Sequence, residues 1–288
     1  MKREELKLGL YEKALSNDLR WRERLETARR LGFDFVEMSI DETDDRLARL
    51  DWTAGERSGL HRNIISTGVG IPSICLSCHR RFPLGSHDPD VRKTALEIMR
   101  KAILLASDIG VRVIQVAGYD VYYEKPDQDT DRWFLENFAL CEDMAKQSQV
   151  MLAFEIMDTP YINSISRFMN LKRTFPSCWT AVYPDVGNLS AWGNDIEYEL
   201  KLGADWTVAI HLKDTLAVFS GFEGKFKEVP FGTGCVDFIK VFQVLNSLRY
   251  KGPFLIEMWS EKSGNPEQEI IIARDFILKK MKESGYLN

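Results

Sequence analysis

The sequence predicts an α/β protein, a (β/α)8 TIM barrel. Three observations carry the prediction. Eight short apolar runs, each followed by a stretch of helical character, succeed one another along the 288 residues, and their starts recur every ~27 to 45 residues, the scale of a βα unit. The runs are mostly continuous rather than alternating in polarity, as strands buried on both faces require. Four consecutive runs end in a carboxylate or an imidazole, at the strand ends where barrels carry their chemistry. Eight right-handed β-α-β crossovers close into a barrel. An open doubly wound sheet would carry a glycine-rich phosphate turn after its first strand, and Gly9-Leu10-Tyr11-Glu12-Lys13 offers none. One catalytic barrel over residues 1–288 is the expected organisation.

The first strand is read at Leu6–Tyr11. Leu19, Leu25, Ala28 and Leu31 then mark the apolar side of a helix that Gly32 ends. The second strand is Phe33–Ser39, followed by a charged stretch and a helix over 53–67 with Gly68 behind it. The third strand, Ile71–Leu76, runs into the loop Ser77–Ser86, which holds a histidine and two arginines. Val91, Ala95, Ile98, Met99, Ala102, Leu105, Ala106 and Ile109 recur at steps of three and four, the clearest helix in the chain, stopped by Gly110. The fourth strand is Val111–Gly118, with a helix over 130–147. The fifth is Val150–Met157, with a helix near 164–174. The sixth is Thr180–Val186, with a short helix near 195–202. The seventh, Val208–Thr215, precedes the longest irregular segment, 216–234, rich in Gly, Phe and Lys. A helix near 236–248, the eighth strand Pro253–Trp259 and a helix over 266–284 complete the pattern.

Composition narrows the function classes. Basic residues number 38 and acidic residues 43, a formal charge of −5, and without a basic tract this argues against a broad nucleic-acid footprint. The five cysteines are odd in number and irregular in spacing, which argues against a disulfide framework. Cys75 and Cys78 form a C-x-x-C pattern, but no second pair follows at zinc-site spacing, and they read as small residues near a strand. No apolar run approaches the ~18 residues of a membrane span and residues 1–5 are mostly charged. A cytoplasmic protein with no membrane partner is expected.

Glu155, Asp185, His211 and Glu257 lie at the ends of strands five to eight, so a barrel brings them together on one side of its mouth. Alone, each has an ordinary explanation: a strand histidine is commonly a hydrogen-bonded core residue, and a strand-end carboxylate a helix cap or ion-pair partner. Together, three carboxylates would repel one another without a cation. The set of oxygens and one nitrogen suits one divalent metal ion, Mn2+, Zn2+, Co2+ or Mg2+. Glu37, Gln115, Asp158 and Asn188 are further polar groups near strand ends. Glu37 reads equally as part of the ligand shell or as a partner for an arginine.

The runs Gly32–Ser39, His79–Ser86, Val113–Tyr123, Pro184–Trp192 and Leu255–Glu261 closely resemble the L-ribulose-5-phosphate (L-xylulose-5-phosphate) 3-epimerases of bacterial L-ascorbate utilisation, which belong to the xylose isomerase-like barrels. The resemblance spans nearly the whole chain in order. It departs most in the lengthened segment between Thr215 and Val229. It implies metal ligands at Glu155, Asp185, His211 and Glu257, acid/base roles for Glu155 and Glu257, a pentulose 5-phosphate substrate and a homodimer or higher homo-oligomer. The implied chemistry epimerises C3 through a cis-enediolate. The cation stabilises developing negative charge, one carboxylate removes the C3 proton and the other returns one on the opposite face. Substrate contacts are expected among Lys213, His79, Arg80, Arg81, Asn188, Asp158, Lys225 and Lys227. Strand-seven and strand-eight loops commonly bind phosphate in barrels, which favours the lysines, although exposed loop lysines are ordinarily just solvated. Competing expectations are an epimerase or isomerase of an unphosphorylated ketose, an endonuclease IV-like metal nuclease, and a sugar-binding barrel without catalysis. Four histidines and the net acidic charge weigh against the nuclease.

Overall fold

The computed structural model describes residues 1–288. Eight strands follow one another as β1 (Leu8–Tyr11), β2 (Phe35–Ser39), β3 (Ser73–Leu76), β4 (Val113–Ala117), β5 (Met151–Glu155), β6 (Thr180–Tyr183), β7 (Ile210–Leu212) and β8 (Phe254–Ile256). All their pairings are parallel, in the order β6-β5-β4-β3-β2-β1-β8-β7. Between β6 and β7 the ladder shrinks to two parallel bridges, Val182 with Thr207 and Asp185 with His211. The barrel is thus nearly closed, and its seam runs through two of the four clustered side chains.

The helices are α1 (Trp21–Arg30), α2 (Asp44–Leu47), α3 (Ala54–Thr67), α4 (Pro89–Ile109), α5 (Gln128–Gln147), α6 (Ile165–Thr174), α7 (Val186–Ala191), α8 (Ile196–Leu202), α9 (Phe238–Ser247) and α10 (Pro266–Glu283). Their ends follow local chemistry. Thr53 and Glu56 form a reciprocal capping box on α3. Gly68 and Gly110 end α3 and α4 at φ 70° and 81°, a left-handed conformation that a side chain disfavours. The buried faces of the helices and the outward faces of the strands form one apolar shell, with Phe138, Phe154 and Phe168 among its fully buried members.

Two helices differ from the sequence expectation. The charged stretch after β2 folds as α2 and a 3-10 turn, and the segment after β6 forms α7. Both are too short to show periodicity. The strands are shorter than their apolar runs, because residues such as Val208 and Thr215 run past the end of the paired ladder. The segment 216–234 is partly ordered by antiparallel bridges from Leu216 to Lys225 and from Phe219 to Phe222. Its far end is held by Asp214, whose carboxylate accepts backbone N–H groups of Gly232 at 2.8 Å, Gly234 at 2.9 Å and Val236 at 3.3 Å.

Candidate active site

Each member of the cluster is delivered by a strand end. Glu155 is the last residue of β5, His211 lies within β7, and Glu257 follows β8. Asp185 caps α7: its Oδ1 accepts the Asn188 N–H at 2.8 Å, which leaves Oδ2 to face the barrel. Gly187 permits this arrangement, since a Cβ there would come within 2.6 Å of the Lys213 side chain. One ligand atom from each of Glu155, Asp185, His211 and Glu257 lies within 4.8 Å of all the others, and all four residues are buried.

The electrostatics show strain that these residues do not relieve by themselves. His211 Nδ1 stands 3.2 Å from Glu155 Oε1 and 3.8 Å from both Asp185 Oδ2 and Glu257 Oε2. Lys213 Nζ lies 2.9 Å from Asp185 Oδ2 and 3.0 Å from Glu257 Oε2. It is an ion-pair partner there but poorly aligned for hydrogen bonding, so both oxygens are buried without a donor. Burial pushes the Asp185 carboxyl up to about 7, Lys213 opposes that, and Glu257 and Glu155 add to it. Burial also raises Glu257, but Lys213 and His211 outweigh it and hold that carboxyl at about 2. Burial works against the protonated His211 ring, yet Glu37 and Glu257 prevail and keep its proton well above the usual range. Carboxylates outnumber the one ammonium, two of their oxygens lack donors, and the donor set is three oxygens and a nitrogen. These residues fit a divalent cation.

The mouth divides into two spaces on either side of Trp259. A larger cavity of about 410 Å³ reaches Phe231 and Ile272 and touches the cluster only through Glu257, with Lys213 beside it. A polar chamber of about 40 Å³ is smaller but gathers the polar side chains: Glu155, Glu257, Asp158, Asn188, Arg80 and Lys227 all line it. We place the site in the chamber. The Arg80 guanidinium lies over the Tyr122 ring at 4.6 Å and has no carboxylate partner. Burial, and then the Arg80 charge, push the Lys227 ammonium below its ordinary range. Asn188 Oδ1 and Asp158 Oδ1 are buried without hydrogen-bond partners.

Other candidates lie elsewhere. His79 is buried and its Nε2–H donates to the Ala95 carbonyl at 3.1 Å, so it faces the outer helix α4 rather than the mouth. Arg81 reaches Asp44 at 2.7 Å on the surface. Lys225 is exposed and bonds the Glu228 carbonyl at 3.0 Å. Lys213, by contrast, stands at the cluster and also lines the chamber. Lys13 and Ser77, which sequence reasoning passed over, also line the chamber. Both immediately follow a strand end, or nearly so, and that position was the available signal.

The comparisons place the chain. A model of the xylose isomerase-like TIM barrel family matches residues 25–280. The chain belongs to this family. SgbU of Escherichia coli (strain K12), named provisionally as an L-ribulose-5-phosphate 3-epimerase, is 58% identical over 280 residues, 97% of this chain and 98% of the relative. The L-ribulose-5-phosphate 3-epimerase UlaE of Escherichia coli O1:K1 / APEC is 52% identical over 281 residues, 98% of this chain and 97% of the relative. A solved L-ribulose 3-epimerase superposes with TM-score 0.76 at 19% identity, over 98% of this chain and 96% of that one. That last match speaks to the fold. The resemblance read from the sequence is borne out, and with it an enzyme of the epimerase class. No helix is long and apolar enough to cross a membrane.

Proposed function

We propose that this chain epimerises a pentulose 5-phosphate at C3, interconverting L-ribulose 5-phosphate and L-xylulose 5-phosphate, with one divalent cation held by Glu155, Asp185, His211 and Glu257. The observation that carries this reading is that Glu155 and Glu257 of the donor cluster line one chamber with two cations, Arg80 and Lys227, that form no ion pair with a carboxylate. The curated relatives at 52% and 58% identity are named for the phosphorylated sugar, which favours it over a free ketose.

When bound, the cation supplies Lewis-acid stabilisation of the negative charge that develops on the substrate's C2 and C3 oxygens. The side chains do the rest. Glu155 and Glu257 come from β5 and β8 and flank Asp185 and His211, so they address a sugar from two sides. One removes the C3 proton to give the cis-enediolate and the other delivers a proton to the opposite face, their roles exchanging with direction. Each such contribution is on the order of 10²–10⁴-fold. Lys213 holds Glu257 ionised, as a base requires. Asp158 and Asn188 offer their unpartnered oxygens to sugar hydroxyls, and Arg80 with Lys227 receives the phosphate.

The test is proton exchange followed by NMR. Incubation of L-ribulose 5-phosphate in D2O with protein loaded in turn with Zn2+, Mg2+, Co2+ and Mn2+ is expected, for at least one of these ions, to remove the C3 proton signal and build L-xylulose 5-phosphate, with chelator abolishing both. Exchange with L-ribulose but not with its 5-phosphate would remove the phosphate assignment. No exchange of either sugar under any of the four metals would remove the epimerase reading.

A further inference from the structure

Glu37 lies outside the ligand set, on β2, and is fully buried. The sequence left it two roles, and the structure gives it no arginine. Its contacts are with His211 and Ser73. Glu37 Oε1 is 3.1 Å from His211 Nε2, and Glu37 Oε2 accepts the Ser73 hydroxyl at 2.5 Å. The other ring nitrogen, Nδ1, faces Glu155, Asp185 and Glu257. The Tyr183 ring packs on the imidazole, with centroids 4.4 Å apart and planes at 58°.

Both ring nitrogens meet carboxylates, Nδ1 with Glu155 at 3.2 Å and Nε2 with Glu37 at 3.1 Å, but the two sides differ. A neutral imidazole carries one proton, on the nitrogen that donates, and only the other nitrogen has a lone pair for a metal. Nδ1 points at the three carboxylates and Nε2 at a single buried acceptor. A proton on Nδ1 would consume the lone pair where the ligand cluster lies and leave Glu37 facing a second lone pair. A proton on Nε2 satisfies Glu37 and frees Nδ1. An acceptor on the outer nitrogen also raises the basicity of the ligating one and fixes the ring's orientation.

We propose that Glu37 is the positioning residue of the site. It fixes His211 as the Nε2–H tautomer and so presents Nδ1 to the divalent cation, while Ser73 holds the acceptor and Tyr183 limits ring rotation. The proposal rests on the reading of the cluster as a cation site and extends it to a residue on the far side of the ring.

The experiment combines imidazole 15N NMR with metal affinity. The chain has four histidines, so His211 is readily assigned by the signal that His211→Gln removes. In the Zn2+-loaded wild type, long-range 15N–1H correlations are expected to place the proton on Nε2. Glu37→Leu, which removes the acceptor, is expected to weaken Zn2+ binding roughly 10–100-fold. Glu37→Gln keeps an oxygen acceptor, so it should retain the tautomer and lose less than ~10-fold in affinity. That variant and the wild-type spectrum decide the matter if Glu37→Leu does not fold. A proton on Nδ1 in the loaded wild type, or wild-type Zn2+ affinity in Glu37→Leu, would overturn the proposal and leave the cation reading standing. A wild type that binds neither Zn2+ nor Mn2+ overturns both together.

Discussion

Two buried carboxylate environments at the same end of the barrel behave differently. Glu12, just after β1, is fully buried yet complete. Arg24 pairs with it, Arg49 meets both its oxygens at 2.6 and 2.7 Å, Arg46 stands at 4.0 Å, and the Ser39 N–H donates at 2.9 Å. Burial raises its carboxyl, but Arg49 and Arg24 outweigh it and hold the group below its ordinary range. Asp185 and Glu257 are as deeply buried, but Lys213 is shared between them and an oxygen of each lacks a donor. Burial of charge therefore does not mark a site. The mark is a network left open, because an uncompensated buried charge is costly and persists where a ligand completes it.

Four experiments would break or sharpen that contrast. The largest effect is expected for Glu257→Gln, whose epimerisation rate should fall on the order of 10²–10⁴-fold in the D2O exchange assay. An unchanged rate would take the open network out of the chemistry. Glu12→Gln should instead destabilise the fold by about 3–5 kcal/mol, read from urea unfolding, since it strands arginines that the closed network now compensates.

His79 represents a third solution, burial in the neutral form. Burial pushes its ring down to about 4 from the ordinary 6.5, partly countered by the bond to Ala95. The unfolded chain binds that proton below 6.5 and the folded chain only below about 4. The associated stability is thus present above pH 6.5 and is lost as pH falls across this window, by about 3 kcal/mol in all. His79→Gln should flatten that part of the unfolding curve against pH. The smallest effect has the opposite sign. In the metal-free protein at pH 8, Asp185→Asn should stabilise by on the order of 1 kcal/mol, because it removes a carboxylate among carboxylates while keeping a good helix cap. Urea unfolding in chelator measures it, and a loss like that of Glu12→Gln would mean the cluster is closed after all.

The barrel was legible because eight strands buried on both faces leave eight mostly continuous apolar runs, and consecutive strands have neighbouring ends. That adjacency also made Glu155, Asp185, His211 and Glu257 legible as a set before any geometry was known. The place of Lys213 beside Asp185 and Glu257 was contained in the sequence: it follows His211 by two residues, and in a strand such residues share a face. His79, Arg80 and Arg81 read alike as a basic loop. The 3-10 turn Ser77–Arg80 sends them to the outer helix, the chamber and the surface respectively. The Glu12 network had no local signal, since Arg24 and Arg49 lie 12 and 37 residues away from Glu12. α7 escaped notice because Val186-Gly187-Asn188-Leu189-Ser190-Ala191 is less than two turns.

The backbone bonds that Asp214 accepts from Gly232, Gly234 and Val236 have an entropic consequence. They clasp both ends of the segment that carries Lys227, so its path is set when the chain folds. An unclasped segment would lose conformational freedom each time a substrate drew the lysine inward, roughly 1–2 kcal/mol for every residue ordered. With the clasp, that cost falls on folding and is carried by the barrel's large core. If Lys227 receives the phosphate as proposed, substrate binding orders few residues of the segment, and the anion meets a lysine already held at the chamber wall.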